Sequence, residues 1–216
     1  MYQVIEIKNF LHRIQQRELK NFLLGSDIFW RFYELPSLGM KVPNSEFQDS
    51  PVFNHVIFSV PGIPQSETPR FYKYDLVNLF HSRIEKYISS PVQLLRIQAN
   101  LGIPCPSYSS TCMVPHIDIP FSVNQYSYES TLKNDDYAYT LIYYVNTSSG
   151  DTVIFDESSI THPNYLDVKK ISGAISPEEG KAALFKGYRY HAGNTSKTDF
   201  RLIINVNFLS KEDIFK

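Results

Sequence analysis

His116 and Asp118 place an imidazole and a carboxylate two positions apart, in the short motif His-Ile-Asp. On an extended strand such residues point to the same face, with Cα atoms about 7 Å apart, so both side chains can reach one metal ion. His191 follows 75 positions after His116 and offers a third ligand. Two imidazoles and one carboxylate fill one face of an octahedral Fe(II) ion and leave three positions open. The three residues predict a metal centre with room for a chelating 2-oxo acid and then dioxygen.

Arg201 lies ten positions after His191, at the beginning of a predicted strand. Its planar guanidinium can donate to both oxygens of a carboxylate, which suits the distal end of a dicarboxylic acid such as 2-oxoglutarate. Two other classes of protein use similar ligands, namely a cupin-like metal-binding module without turnover and a zinc-dependent hydrolase. Neither class needs a basic residue beyond the last ligand, so Arg201 favours an oxygenase.

The elements that must position these residues are mainly β-strands. Alternating apolar and polar residues, separated by turn-rich segments, predict strands at residues 26–33, 56–60, 95–101, 113–119, 137–145, 152–156, 181–185 and 200–209. Amphipathic helices are predicted over residues 9–25 and 75–88. We predict a single domain of 216 residues, mainly β with flanking helices (α+β), built as a sandwich or jelly roll. Residues 91–210 would form its core, and the helices and loops of residues 1–90 would brace that core.

Composition disfavours several functional classes. The net charge of −1 gives no bulk attraction for nucleic acid, and no segment approaches the roughly 20 apolar residues of a membrane-spanning helix. Cys105 and Cys112 match no zinc-finger spacing and are too few for a disulfide scaffold. Residues 1–9 lack the apolar run of a signal peptide. We therefore expect a cytoplasmic protein that binds a small-molecule or peptide substrate, with neither a nucleic-acid nor a membrane partner.

The motifs follow one another in the order found in a known superfamily. After the His-Ile-Asp motif come Tyr144-Val145-Asn146, Ser149-Gly150-Asp151-Thr152, the stretch from Pro177 to Phe185, His191 and Arg201. In this order the chain resembles the 2-oxoglutarate/Fe(II)-dependent dioxygenases, in particular their prolyl-hydroxylase-like branch, over residues 92–209. The resemblance implies a double-stranded β-helix (jelly roll) with Fe(II), 2-oxoglutarate and O2 as cofactor and cosubstrates. It also implies that oxidative decarboxylation of 2-oxoglutarate to succinate is coupled to hydroxylation of a substrate C–H.

The resemblance assigns roles to individual residues. His116, Asp118 and His191 match the metal ligands of the family. Arg201 matches the basic residue that binds the distal carboxylate of 2-oxoglutarate, and Tyr144 matches a tyrosine that hydrogen-bonds the same carboxylate.

Two further cofactor-binding residues are predicted from strand positions. Asn205 shares a strand face with Arg201 by the period of two, so we expect it to reach a water on the metal or the cosubstrate. Where the family carries a tyrosine on the strand before the His-x-Asp motif, this chain has Asn100. We expect Asn100 or the neighbouring Gln98 to replace the contact of that tyrosine with 2-oxoglutarate.

The substrate is predicted only by class. By the resemblance, a prolyl or other amino-acid residue is the leading hypothesis, and desaturation or ring closure of a small metabolite is the alternative. Residues 121–136 follow Asp118 directly and are predicted to form a substrate lid, with further substrate-determining residues at 107–111. The remaining histidines, at positions 12, 55, 81 and 162, lack partners at ligand spacing and are predicted to have surface or packing roles.

Overall fold

Two antiparallel β-sheets form the framework of the computed structural model, which describes residues 4–33, 50–60, 70–104, 113–118, 137–158, 168 and 170–215. In chain order the strands are β1 (Ile5–Ile7), β2 (Arg31–Tyr33), β3 (Val52–Ser59), β4 (Val92–Gly102), β5 (Tyr137–Tyr144), β6 (Thr152–Ser158), β7 (Ile171–Ile175), β8 (Ala182–Lys186), β9 (Arg189–Gly193) and β10 (Arg201–Ser210). Over these ranges the larger sheet has the order β1-β8-β5-β10-β4-β3-β2 and the smaller sheet the order β7-β6-β9. This architecture confirms the prediction of a mainly β, jelly-roll fold with flanking helices.

Two helices, α1 (Arg13–Leu23) and α2 (Arg70–Ile88), pack on the outer face of the larger sheet. Leu76, Phe80 and Ile84 recur at the helical period on α2, and all three are buried. Burial of each such side chain stabilises the fold by about 1.5–3 kcal/mol. Neither of these two helices is long and apolar enough to cross a membrane.

The central strand β10 divides its residues between the two faces of the larger sheet. Its even-numbered residues from Leu202 to Phe208 join the core beneath the helices. Its odd-numbered residues face the smaller sheet, because Ile203 packs in the core between the sheets and successive strand residues alternate. Asn207 lies opposite Arg96 of β4, and Asn205 lies opposite Gln98. The inner face of the sheet is thus partly polar.

One predicted strand is wrong where it carries the metal motif. Within residues 113–118 the structure has only an isolated antiparallel bridge, between His116 and His191. Pro115 precedes His116 and has no N–H to donate to a ladder, so a continuous strand is disfavoured there. The two imidazoles converge because this bridge joins the segment to β9.

Other differences from the prediction concern short elements. The predicted strand at residues 26–33 is reduced to β2, and β1, β7 and β9 were not predicted. The sequences of β7 (Ile-Ser-Gly-Ala-Ile) and β9 (Arg-Tyr-His-Ala-Gly) contain glycine and show no clear alternation. Both strands exist because they pair with β6 on either side. Tertiary pairing therefore outweighs their weak local preference.

Three predictions concern residues outside the described ranges. These are the substrate lid at residues 121–136, the substrate-determining residues at 107–111, and the roles of Cys105, Cys112 and His162.

Candidate metal centre and cosubstrate site

The structure brings His116, Asp118 and His191 together as a group that could hold a metal ion. One ligand atom from each residue lies within 4.8 Å of the other two. The two imidazole rings have centroids 4.8 Å apart, and His191 Nε2 lies 3.6 Å from Asp118 Oδ2. The set of two nitrogens and one carboxylate oxygen is the one predicted from the sequence.

Each imidazole is oriented by a backbone carbonyl. His116 Nδ1 lies 3.0 Å from the carbonyl of Val114, and His191 Nδ1 lies 3.2 Å from that of Arg189. A carbonyl oxygen only accepts, so each Nδ1 donates a hydrogen, which leaves Nε2 as the ring nitrogen that could bind a metal. His191 Nε2 is buried and has no hydrogen-bond partner among the described residues. Such an atom costs about 1–3 kcal/mol, and a divalent ion would satisfy it, so the residues present fit a metal.

Asp118 is surrounded by donors from the inner face of the larger sheet. Its Oδ1 accepts from Arg96 Nη2 at 3.0 Å and from Asn205 Nδ2 at 3.1 Å. Its Oδ2 accepts from Asn207 Nδ2 at 3.1 Å. Burial by itself raises the pKa of Asp118, but His191 and Arg96 outweigh it and hold that pKa well below its ordinary value. The carboxylate is therefore ionised.

Arg201 is held by two acceptors and has no carboxylate partner among the described residues. Its Nε donates to the carbonyl of Gly150 at 2.6 Å, and its Nη2 donates to Thr152 Oγ1 at 2.7 Å. Arg201 forms none of the ion pairs found between described residues. Burial consequently lowers the pKa of its guanidinium, an effect that Tyr144 and Asp151 only partly oppose. A partly buried cation with no ion-pair partner in the described ranges could bind an anionic ligand.

Tyr144 and Arg201 are linked through the side chain of Thr152. The Tyr144 hydroxyl donates to Thr152 Oγ1 at 2.8 Å, so one buried threonine oxygen accepts from both Tyr144 and Arg201. Burial raises the pKa of Tyr144 to about 12, although the charge of Arg201 opposes the rise. The hydroxyl therefore stays protonated and can donate. Thr152 belongs to the Ser-Gly-Asp-Thr motif, but no separate role was predicted for it.

No family model matches the sequence, and no curated protein matches it. The fold, in contrast, is similar to many solved structures. A 2OG-Fe(II) oxygenase family oxidoreductase from Burkholderia pseudomallei is 11% identical with a TM-score of 0.61, over 97% of this chain and 86% of that one. The epimerase SnoN from nogalamycin biosynthesis, solved with Fe3+ and alpha ketoglutarate, is 14% identical with a TM-score of 0.60, over 95% and 78%. A Trichoplax adhaerens prolyl hydroxylase is 14% identical with a TM-score of 0.54, over 96% and 84%.

The fold is that of the 2-oxoglutarate/Fe(II) oxygenases. The two sheets of this fold carry one triad residue and the arginine: His191 comes from β9 of the smaller sheet and Arg201 from β10 of the larger. His116 and Asp118 lie within residues 113–118 and contact β9 and β10 through the bridge and the hydrogen bond described above.

Of the other predicted residues in this oxygenase fold, Asn205 lies beside the triad and Asn100 does not contact it. Asn205 binds Asp118 through Nδ2, while its buried Oδ1 has no hydrogen-bond partner in the described part of the chain. Asn100 lies on β4 opposite Ile203, and its Oδ1 accepts from Gln98 Nε2 at 2.8 Å. A contact of either amide with 2-oxoglutarate stays a prediction.

His55 and His81 lie apart from the triad. His55 Nδ1 is 2.8 Å from the carbonyl of Phe29, and His81 Nε2 is 3.1 Å from that of Val92. Both histidines thus satisfy backbone groups, and neither belongs to the group of potential ligands found in the described ranges.

Gly150 gives a first testable prediction, because it lies against Arg201. A Cβ at this position would be 2.6 Å from the carbonyl oxygen of Asn194 and 2.9 Å from Arg201 Cδ. We expect Gly150→Ala to displace the Arg201 side chain and weaken 2-oxoglutarate binding by about 10-fold, measured by calorimetry on the metal-loaded protein. Gly102→Ala is the matched control, because its Cβ would meet Arg201 Cβ at an ordinary 3.9 Å. Equal affinity in both variants would contradict this role of Gly150.

Proposed function

We propose that this chain is an Fe(II)- and 2-oxoglutarate-dependent oxygenase that couples decarboxylation of 2-oxoglutarate to hydroxylation of a substrate C–H. The observation that carries the proposal is the pairing of two incomplete sites in the space between the sheets. One is the triad, in which the buried His191 Nε2 has no hydrogen-bond partner among the described residues. The other is Arg201, a partly buried cation that forms no ion pair with a carboxylate in the described part of the chain. A metal ion would complete the triad, and a dicarboxylic 2-oxo acid would bind both that ion and Arg201.

The spacing along β10 supports a single ligand that joins the two sites. Asn205 contacts Asp118, and Arg201 lies four residues earlier on the same face of the strand, at a Cα separation of about 13 Å. The arginine side chain shortens that gap, which leaves room for a five-carbon dicarboxylate. A guanidinium has five N–H donors, and Arg201 uses two of them on Gly150 and Thr152. The other donors serve the distal carboxylate.

The chain's own residues bind, orient and shield the reactants. His116 and His191 would each offer a ring nitrogen, and Asp118 offers one negative charge. Phe185 packs edge-on against the His191 ring, with ring centroids 5.0 Å apart. Phe185 belongs to the apolar core between the sheets, and this core keeps bulk water from the site. When bound, Fe(II) with 2-oxoglutarate supplies the activation of O2, and the protein supplies the geometry.

The leading substrate proposal is a prolyl or other amino-acid residue, presented as a peptide or a free amino acid. It rests on the motif resemblance and on the similarity of fold to the prolyl hydroxylase, whose structure contains a peptide fragment. The alternative is a small metabolite, supported by the similar fold of the epimerase SnoN, solved with nogalamycin RO. Mass analysis separates outcomes, because hydroxylation adds one oxygen whereas desaturation or ring closure removes two hydrogens.

Anaerobic spectroscopy provides the direct test. Fe(II) and then 2-oxoglutarate are added to the metal-free protein, and we expect a weak metal-to-ligand charge-transfer band in the visible region. Zn(II) is the matched control, because its filled d shell gives no such band with the same ligands. Admission of O2 is then expected to release succinate. Absence of the band at saturating Fe(II) would contradict the proposal and favour a binding module without turnover.

A further inference from the structure

Arg96 lies next to the triad although it was not among the predicted site residues. It occupies the inner face of β4, and its side chain is 13% exposed. Its Nη2 donates to Asp118 Oδ1 at 3.0 Å, and its Nε donates to Asn207 Oδ1 at 3.2 Å. One guanidinium thus holds both the carboxylate and a neighbouring amide.

The contact with Arg96 decides which way the Asn207 amide points. Because Asn207 Oδ1 accepts from Arg96 Nε, the Nδ2 atom of the same amide must point away from that nitrogen. There Nδ2 donates to Asp118 Oδ2 at 3.1 Å and to Thr140 Oγ1 at 3.0 Å. Asn207 and Thr140 are fully buried, so a reversed amide would leave several polar groups without partners.

Among contacts between described residues, these hydrogen bonds leave Asp118 one acceptor direction. A carboxylate has about four lone-pair directions, two on each oxygen. Arg96 and Asn205 fill both directions on Oδ1, and Asn207 fills one on Oδ2. The remaining direction belongs to Oδ2, the oxygen that lies 3.6 Å from His191 Nε2.

We propose that Arg96 is a positioning residue that, with Asn207, makes Asp118 a one-oxygen ligand through Oδ2. The inference rests on the proposed function. A carboxylate that used both oxygens would occupy a fourth coordination position, whereas one oxygen leaves the three positions that 2-oxoglutarate and O2 require. Arg96 therefore acts through Asp118 and does not touch either reactant.

The sign of one binding measurement separates positioning from simple charge balance. Mn(II) is titrated into the metal-free protein, and free Mn(II) is followed by electron paramagnetic resonance. We expect Arg96→Met to raise the Kd for Mn(II) by about 10- to 100-fold, since Asp118 loses its orientation. Removal of a cation near the metal would by charge alone tighten binding. An unchanged or lower Kd therefore overturns the inference.

Arg96→Lys tests the same point with the charge retained. A lysine can reach Asp118 but cannot also hold the Asn207 amide, so we expect a Kd about 10-fold above wild type and an altered visible spectrum of bound Co(II). A wild-type Kd with a wild-type Co(II) spectrum would overturn the inference, and this variant decides the matter if Arg96→Met does not fold. Arg83→Met is the control, since Arg83 donates to the carbonyl of Phe10 and lies over the Phe10 ring, on the helix side of the sheet. Wild-type protein that takes up no Mn(II) would overturn the proposed function itself.

Discussion

Asp118→Ala is expected to lose metal binding and, at the same time, to destabilise the metal-free protein. The variant removes the anionic ligand of the triad, so the Kd for Fe(II) or Mn(II) should rise by more than about 100-fold, beyond the effect of residues that only orient a ligand. It also leaves the Arg96 guanidinium without its carboxylate at a site where the side chain is 13% exposed. Breaking such a buried pair costs about 3–5 kcal/mol. Metal titration and thermal unfolding measure the two effects separately.

A double variant separates ligation from stability. In Asp118→Ala with Arg96→Met, the unpaired cation is gone, so much of the lost stability should return while metal binding stays absent. The reference for the cycle is Arg96→Met alone, which keeps the carboxylate ligand. Recovery of metal binding in the double variant would show that Asp118 is not a ligand. Equal stability of the two variants that lack Asp118 would show that its contact with Arg96 is energetically unimportant.

The parts of the site that could be predicted are the residues that lie close together in the sequence. His116 and Asp118 stand two residues apart and meet in the triad, whereas Arg201 stands ten residues after His191, on a strand of the other sheet. The strand around the first pair was nevertheless wrong, because Pro115 interrupts it and a bridge to β9 replaces it. The three predicted ligands do lie together, but for a structural reason other than the one expected.

The network around Asp118 depends on the register between two distant strands. Arg96 and Asn207 are 111 positions apart in the chain and meet because β4 pairs with β10. A register irregularity after Asn207 sets Phe208 opposite Leu94, which leaves Leu95 out of the pairing. Alternation along β4 predicted a polar face containing Arg96, but no local pattern predicts which β10 residue it meets.

The second large effect is expected at the distal carboxylate of 2-oxoglutarate. Arg201→Met is expected to raise the Kd for 2-oxoglutarate by about 100-fold, because the distal carboxylate would be desolvated without a cationic partner. Arg201 makes no described contact with the triad, so Mn(II) binding should stay within a few-fold of wild type. Calorimetric titration of 2-oxoglutarate into the Mn(II)-loaded, oxygen-free protein measures the first quantity. The Kd of Arg201→Lys for 2-oxoglutarate should fall between those of the wild type and Arg201→Met, since lysine keeps the charge but lacks the planar guanidinium.

Arg83→Met again supplies the matched loss of an arginine that binds a backbone carbonyl, here on the opposite face of the sheet. It is expected to lower the thermal midpoint without a change in the Kd for 2-oxoglutarate. If Arg201→Met bound 2-oxoglutarate as tightly as wild type, the distal carboxylate would have to lie elsewhere between the sheets. If it lost Mn(II) as well, the guanidinium would be supporting the triad. Only weakened 2-oxoglutarate binding with metal binding retained fits a cation that Gly150 and Thr152 hold ready for an anionic ligand.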